Sequence, residues 1–281
     1  RRGAGPSPTG SSRTAATAEP QPFVLRASDE ELADLQLRLK LAKFPDQLQG
    51  LYAPLLPHPS PHPSPLDPAS RPSHPPLSVV RASGWELGTE LGALQRLVER
   101  WRTAYDWREW EARWNAMGPQ FTLELPEREG SDRRLRLHYF HRRAPSADAP
   151  ALLLAHGWPG SVWEFHHLIE PLSHHFHVVA PSIPGYGWSS APTHRGFSAV
   201  DAARSFHALM AALGYGSGYL AHGGDWGSRI CAYLGTLFPE VVRAIHITMP
   251  IAVPPRGFDL KTLTPLERSG EHRPLANDLS R

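Results

Sequence analysis

A regular alternation of short apolar runs and helical segments constrains the fold of this 281-residue chain more than any other feature. Residues 151–155 form a continuous apolar run, which is typical of a strand that is buried on both faces. After this run the periodicity switches repeatedly between that of helices and that of strands, as in a parallel sheet covered by helices. The pattern predicts helices at 162–172, 198–213 and 226–238 and strands at 177–180, 219–222 and 241–247. We therefore predict an α/β fold with a doubly wound, mostly parallel sheet.

The preceding part of the chain carries further helix and strand signals. Residues 121–125 and 135–140 alternate between polar and apolar side chains, which predicts two half-buried strands joined by a turn at Gly130. Ser28 with Glu31 forms a capping-box sequence at the start of a helix that we expect to end at Pro45. Two more helices are expected at 85–104 and 107–116.

Prolines are concentrated in one stretch of this region. Ten of the 30 prolines fall between Leu51 and Pro76. Proline excludes helix and removes the backbone donors that a sheet needs, so we expect 51–84 to be an extended, solvated insertion. A ligand for an SH3 or WW domain is the alternative. Residues 1–22 are small and polar and are expected to be a disordered tail.

Charge and cysteine content exclude several classes of protein. The net charge is +2, with 29 basic and 27 acidic residues mixed along the chain, so no basic face for nucleic acid is expected. The single cysteine, Cys231, excludes an internal disulfide and any cysteine-rich metal site. It fits a reducing compartment, and we expect a cytoplasmic protein, with a membrane-associated form left open. The histidines at 166, 167, 174, 175 and 177 lack the recurring geometry of a zinc site, so no metal is expected.

The most informative stretch is Gly-Gly-Asp-Trp-Gly at 223–227, between a predicted strand and a predicted helix. A sharp turn there needs small residues two positions before and after its tip, where Asp225 stands. A carboxylate that attacks sp³ carbon leaves an alkyl ester that water can cleave, whereas a serine would leave a stable ether. Asp225 is therefore a candidate nucleophile for an epoxide or a haloalkane. The alternative is that Asp225 only caps the following helix.

A second motif, His-Gly-Trp-Pro-Gly-Ser at 156–161, directly follows the apolar run and precedes a predicted helix. One half of an oxyanion hole is found at this place in hydrolases with such a sheet. The backbone N–H groups of Trp158 and Trp226 can then converge on the oxyanion formed when an ester on Asp225 is hydrolysed. The alternative is an ordinary turn rich in glycine and proline.

Together these motifs resemble the microsomal-like branch of the epoxide hydrolases, which belong to the α/β-hydrolase superfamily. The resemblance covers 23–50 and 85–250. Within it, 44–46 and 101–108 look like the family's N-terminal region. Residues 181–187 resemble the family's loop after the next strand. The resemblance implies an α/β-hydrolase fold with an N-terminal helical wrapping region and a cis Trp158–Pro159 bond. It also implies Asp225 as the nucleophile, Trp158 and Trp226 as oxyanion donors, and no cofactor. The implied domains are a tail at 1–22, the N-terminal region at 23–118, the first part of the hydrolase core at 119–250 and the start of a lid at 251–281.

The sequence departs from the family pattern in three places. The proline-rich segment interrupts the N-terminal region, and the start at Arg1 suggests an incomplete N-terminus. After Asp225 the only histidines are His246, in a predicted strand, and His272, in a polar tail, and the one later tyrosine, Tyr233, is expected in the core. We identify neither the general-base histidine nor the charge-relay acid, which follow the nucleophile in this superfamily. We therefore expect a chain truncated at its C-terminus that lacks sustained turnover.

The resemblance implies a hydrolase that converts a small apolar epoxide and water to a vicinal diol, as in detoxification and the catabolism of aromatic hydrocarbons. The resemblance leaves a homodimer open. One alternative is a haloalkane dehalogenase-like enzyme, against which the Trp- and Arg-rich N-terminal region argues. Another is a non-catalytic binding protein that keeps a remnant hydrolase core and docks through the proline-rich segment. Activity that an Asp225→Ala substitution abolishes would separate an enzyme from a binding protein, and halide release would separate the two enzymes.

Overall fold

The computed structural model describes residues 19–47, 88–128 and 131–250, together with Trp85 and Thr264. The predictions for 1–18 and 51–84, for the lid at 251–281 apart from Thr264, for Gly130 and for His272 lie outside the described residues. The helices are α1 (Asp29–Lys40), α2 (Leu91–Ala104), α3 (Trp107–Asn115), α4 (Ile169–Leu172), α5 (Ala199–Ala212) and α6 (Trp226–Leu237), with a 3₁₀ helix at Val162–Phe165. The strands are β1 (Gln21–Phe23), β2 (Gln120–Pro126), β3 (Arg134–Arg142), β4 (Ala151–Ala155), β5 (His177–Pro181), β6 (Tyr219–Gly223) and β7 (Val242–Ile247).

The seven strands form one sheet in the order β1-β2-β3-β5-β4-β6-β7. The first three strands are antiparallel to their neighbours, including β3 to β5, and β5, β4, β6 and β7 run parallel. Strands β4 and β6 are adjacent although a strand and a helix separate them in sequence, and Ala155 pairs with Gly223 at their carboxyl ends. The prediction of an α/β fold with helices around a largely parallel sheet is therefore confirmed.

A separate hydrophobic core covers each face of the sheet, because alternate side chains of a strand point to opposite faces. In β4, Leu153 belongs to one core and Leu152 with Leu154 to the other. The first core packs the sheet against α5 and α6, with Phe206 and Leu234 fully buried. The second core packs it against the following residues: Trp114, Met117, Val162, Phe165 and Ile169.

The described chain divides into two compact units, and the smaller one spans Arg26–Glu111. In this unit Glu111 is a buried carboxylate that accepts hydrogen bonds from Trp107 Nε1 and Arg108 Nη1, both at 2.7 Å. Burial acts to raise the pKa of Glu111, but these bonds and one from the Ala27 backbone lower it overall. The predicted capping box is present, since Ser28 and Glu31 bond each other's backbone N–H groups.

Four predicted boundaries were wrong. Helix α2 begins at Leu91 rather than 85, because Gly88 has a φ of 129° and the Glu90 side chain caps the helix. The helix predicted at 162–172 is two short pieces, since a continuous helix would place Pro171 in its interior, where its missing N–H is needed. Helix α1 ends at Lys40, before Pro45. Gln21 and Pro22, which we assigned to the tail, lie in β1.

Candidate active site

The turn from β6 into α6 holds its tip residue in a strained conformation. Asp225 has φ 49° and ψ −123°, and among the described residues it is the only non-glycine residue with a positive φ. Such a conformation costs on the order of 1–3 kcal/mol and persists only where the surrounding structure imposes it. The structure therefore contains the sharp strand-to-helix turn that the glycine spacing predicted, with the carboxylate at its tip.

Close backbone contacts explain the small residues on both sides of this turn. A Cβ atom on Gly223 would collide with the backbone of Gly227, and a Cβ on Gly227 would collide with the carbonyl oxygen of Ala155. Backbone atoms cannot move away as the end of a flexible side chain can. Both positions therefore require glycine, which brings β6, α6 and the end of β4 into direct contact.

The Asp225 carboxylate points away from its own helix. Its side chain makes no cap hydrogen bond to α6, and Oδ1 accepts a hydrogen bond from the Trp158 backbone N–H at 2.7 Å. The alternative that Asp225 only caps the helix is therefore wrong. The Asp225 side chain is half-buried.

The oxyanion segment predicted at 156–161 packs directly on Asp225. A Cβ on Gly157 would lie 2.5 Å from the Asp225 Cβ and 2.8 Å from its Oδ1, so only glycine leaves room for the carboxylate. The Trp158–Pro159 peptide bond is cis, as the resemblance implied. The structure thus brings Trp158 and Asp225 together.

The second predicted donor, Trp226, is the first residue of α6. The backbone N–H groups of a helix's first turn have no partner within the helix and can bind an anion. The Trp226 N–H forms no hydrogen bond with the Asp225 side chain in the structure. Trp158 and Trp226 are 65% and 47% exposed as residues, so two large aromatic residues beside the carboxylate lie open to solvent.

His156 fixes the position of the oxyanion segment, a role that sequence reasoning missed. Its buried Nε2 accepts a hydrogen bond from the Ile183 N–H at 3.0 Å, and its Nδ1 donates to the Gly157 carbonyl at 3.0 Å. These partners select the neutral imidazole. Burial lowers the pKa of His156, although the Gly157 carbonyl acts in the opposite direction. The ring is therefore an anchor for the loops after β4 and β5.

Two other side chains contact the site. Glu164 Oε1 lies 3.4 Å from the Gly157 N–H. Its pKa is raised by burial and by the charge of Asp225, against the effect of the Gly157 bond. Ser228 Oγ lies 2.7 Å from the Asp225 carbonyl oxygen and 2.8 Å from that of Met249, so its single proton links the turn to the end of β7. The sequence alone did not identify Glu164 or Ser228, because the only signal that it holds for them is their position next to the two motifs.

No histidine within the described residues makes a hydrogen bond to the Asp225 carboxylate. His246 lies in β7, as predicted, and its Nδ1 is 2.8 Å from Nδ1 of His222. His138 is fully buried between Ser182 Oγ at 2.9 Å and Gln120 Oε1 at 3.1 Å. The part of the chain that the structure describes therefore supplies a carboxylate and N–H donors, without a histidine hydrogen-bonded to that carboxylate.

The other candidate residues have structural roles. Cys231 is buried, and this burial raises the pKa of its thiol to about 12, so it is unreactive packing. His177 accepts from the Ala144 N–H, and Tyr233 packs against the core. Within the described ranges no cluster of three or more histidine, cysteine or acidic side chains is arranged to hold a metal. None of the helices described there combines the length and apolar character that a membrane span requires.

Comparison with known families agrees with this geometry. Residues 150–267 match the family described as alpha/beta hydrolase fold, and residues 69–165 match the family described as epoxide hydrolase N terminus. Epoxide hydrolase 1 of Sus scrofa is 32% identical over 247 residues, which cover 83% of this chain and 45% of that protein.

Two solved structures are similar over most of the chain. The Aspergillus niger epoxide hydrolase superposes with a TM-score of 0.68 at 31% identity, covering 92% of this chain and 59% of that one. The juvenile hormone epoxide hydrolase of Bombyx mori gives a TM-score of 0.63 at 27% identity, covering 83% of this chain and 53% of that one. The chain thus spans about half the length of these relatives. With both family matches, these relatives and the α/β-hydrolase fold in agreement, the chain belongs to the epoxide hydrolase family.

Proposed function

We propose that this chain opens small apolar epoxides by forming an alkyl ester on Asp225. The observation that carries the proposal is the Asp225 carboxylate, which is held at a strained turn with one oxygen on the Trp158 N–H at 2.7 Å. A protein holds a side chain in such a conformation where its position matters, and epoxide hydrolysis is the activity named for the similar proteins.

The first step is nucleophilic substitution at a ring carbon. A carboxylate oxygen of Asp225 attacks one epoxide carbon, the bond from that carbon to the ring oxygen breaks, and the released alkoxide takes up a proton from water. The Trp158 N–H holds Oδ1, which leaves the other oxygen of the carboxylate to attack. The exposed rings of Trp158 and Trp226 offer apolar surface for the hydrocarbon part of the substrate.

The second step is hydrolysis of the ester. Water attacks the Asp225 carbonyl carbon, and negative charge develops on the carbonyl oxygen. We expect the N–H groups of Trp158 and Trp226 to stabilise this charge, because neither depends on a side chain that must reorganise. The tetrahedral intermediate then expels the diol oxygen, which takes a proton, and the Asp225 carboxylate is restored.

In this superfamily a histidine activates this water, and no histidine is hydrogen-bonded to Asp225 within the described residues. We therefore assign the alkylation step to the residues described here and expect the alkyl-enzyme to accumulate. A mass spectrum of the 281-residue chain after incubation with styrene oxide should show one adduct, and peptide mapping should locate it on Asp225.

Two variants make this experiment decisive. Asp225→Asn should form no adduct, because an amide is a poor nucleophile, and Asp148→Asn, at an exposed acidic residue, should react as the wild type does. An adduct on another residue, or an unchanged adduct in Asp225→Asn, would contradict the proposal. If the wild type instead shows multiple turnovers that Asp225→Ala abolishes, Asp225 is still the nucleophile, but the alkyl-enzyme does not accumulate.

A further inference from the structure

A pair of histidines lies at the carboxyl ends of β6 and β7, outside the chemistry proposed above. His222 and His246 are register partners on these parallel strands, so their side chains leave the same face of the sheet. Their Nδ1 atoms are 2.8 Å apart, and the two rings are nearly stacked, with centroids 4.8 Å apart at 23°. The backbone carbonyl oxygen of His246 is 3.2 Å from His222 Nδ1.

Two nitrogen atoms at this distance need a cation or a proton between them. If both Nδ1 atoms carry lone pairs, the pairs repel, and if both carry protons, the protons collide. One shared proton on His222 satisfies the contact, since it can also be donated to the His246 carbonyl. A metal ion can take the place of that proton and bind both lone pairs.

The distance between the nitrogens favours one coordination geometry. With metal–nitrogen bonds of about 2.0–2.1 Å, a nitrogen separation of 2.8 Å gives an angle at the metal of roughly 85–90°. A tetrahedral ion needs about 109°, which corresponds to a separation of roughly 3.3 Å. Neighbouring positions of a square-planar or tetragonal ion match the observed separation, and nitrogen with oxygen ligands in that geometry is typical of Cu²⁺ and Ni²⁺.

The pair is accessible, and no charged side chain of the described residues bonds to either ring. His246 is exposed and His222 is half-buried. No hydrogen bond or ion pair involving Nε2 of either ring is formed within the described residues, and the neighbouring ring of Phe165, 6.2 Å from that of His222, is uncharged. An ion at the two Nδ1 atoms can therefore complete its coordination with water and the nearby His246 carbonyl.

We propose that His222 and His246 form a two-histidine chelate for a divalent cation that prefers tetragonal coordination, with Cu²⁺ as the strongest binder. Cu²⁺ binds most tightly among the first-row divalent ions at a given set of such ligands. The chelate joins β6, three residues before Asp225, to β7. Binding therefore stabilises the end of the sheet that carries the turn.

Electron paramagnetic resonance of the full chain with one equivalent of Cu²⁺ tests the site directly. Glycine is added as a weak competitor that suppresses binding at isolated histidines. The wild type should show hyperfine structure from two imidazole nitrogens in an axial spectrum. His222→Gln and His246→Gln should each lose the two-nitrogen pattern and bind Cu²⁺ at least ~10-fold more weakly, and the double variant should lose little more because both belong to one site.

His174→Gln is the matched control, because this exposed histidine lies in the turn between α4 and β5, 3.0 Å from Glu170. It should keep the wild-type spectrum and affinity. Circular dichroism and Tm in EDTA show whether each variant folds, and Cu²⁺ should raise Tm for the wild type and His174→Gln only. A two-nitrogen spectrum that survives either single substitution, or variants that keep wild-type affinity, would overturn the proposal.

Discussion

The backbone N–H of Trp158 donates to Oδ1 of Asp225 at 2.7 Å, although 67 positions separate the two residues. The sheet explains how they meet. Strands β4 and β6 are parallel neighbours, with Ala155 opposite Gly223, so the loops that follow them leave the same edge side by side. The fold thus brings the carboxylate and its hydrogen-bond donor together without any covalent or metal link between them.

Gly157→Ala should remove most of the alkylation activity. The new Cβ would lie 2.5 Å from the Asp225 Cβ, so the Asp225 side chain must move by roughly 1 Å to restore an ordinary contact. A displacement of this kind costs on the order of 10²-fold in rate, because attack requires a narrow geometry. The rate of adduct formation with styrene oxide measures the effect. Gly216→Ala, whose new Cβ meets Ala211 at an ordinary 3.6 Å, should react at the wild-type rate, and equal rates for both variants would contradict this reading.

Asp225→Gly should be more stable than Asp225→Ala, by about 1–2 kcal/mol. Both substitutions remove the hydrogen bond with Trp158, so the comparison isolates the backbone. At φ 49° and ψ −123° alanine keeps the strain and glycine relieves it. Urea denaturation of the two variants gives the difference in the free energy of unfolding. Equal stabilities would mean that the turn relaxes when its side chain is removed.

Two glycine substitutions in helix α6 should change stability in opposite directions. Gly227→Ala drives a Cβ into the Ala155 carbonyl and should cost about 3 kcal/mol, because backbone on both sides prevents relief. Gly235→Ala meets Ile245 Cγ2 at an ordinary 3.5 Å and should gain up to about 1 kcal/mol from the better helix propensity of alanine. Thermal unfolding measures both. A Gly227→Ala variant with unchanged Tm would show that β4 and α6 are not in contact as described.

The parts of the site that follow from local rules could be predicted from the sequence. Glycines two residues on either side of Asp225 indicate the sharp turn because a Cβ at either place meets backbone. The capping box at Ser28 and Glu31 was equally readable, since both partners lie within one helical turn. The nucleophilic role of Asp225 and the donor roles of Trp158 and Trp226 remain proposals.

Contacts between distant segments could not be predicted, because no local pattern records them. His138 lies between Ser182 and Gln120, residues from two other segments, and its neighbours in sequence suggest only a half-buried strand. The contact between the Ser228 hydroxyl and the Met249 carbonyl also joins distant segments, so it has no local signal in the sequence. Pro171 did carry a local signal, because a proline inside a helix lacks the N–H that the helix needs, and this indicates a break in the helix predicted at 162–172.

Buried histidines should make the protein lose stability as the pH falls from about 6.5 to 4. Burial lowers the pKa of His138 to about 4, with Arg136 contributing, and burial likewise lowers that of His141 to about 4. The unfolded chain then binds protons that the folded chain does not, so stability is full above pH 6.5 and falls with a slope of up to ~1.4 kcal/mol per pH unit for each histidine. Urea denaturation across this range measures the slope.

The matched pair for this test is His138→Gln and His174→Gln. The first replaces a buried titrating ring with a neutral amide, so it should reduce the slope between pH 6.5 and 4 whatever it does to stability at neutral pH. The second replaces an exposed histidine and should leave the slope as it is. A wild-type slope in His138→Gln would show that another group is responsible for the loss of stability.

Glu127 should contribute stability that disappears at lower pH than the histidine effect. Burial acts to raise the pKa of Glu127, but hydrogen bonds from Thr193 and His194 lower it from 4.5 to about 2. A carboxyl group whose pKa is lowered by folding stabilises the protein fully above its unfolded value, and this contribution is lost as the pH falls from 4.5 to 2. The difference in the free energy of unfolding between wild type and Glu127→Gln should therefore be constant above pH 5 and shrink below it. Glu124→Gln, at an exposed position of β2, should show no such change, and a pH-independent difference for Glu127→Gln would contradict the assignment.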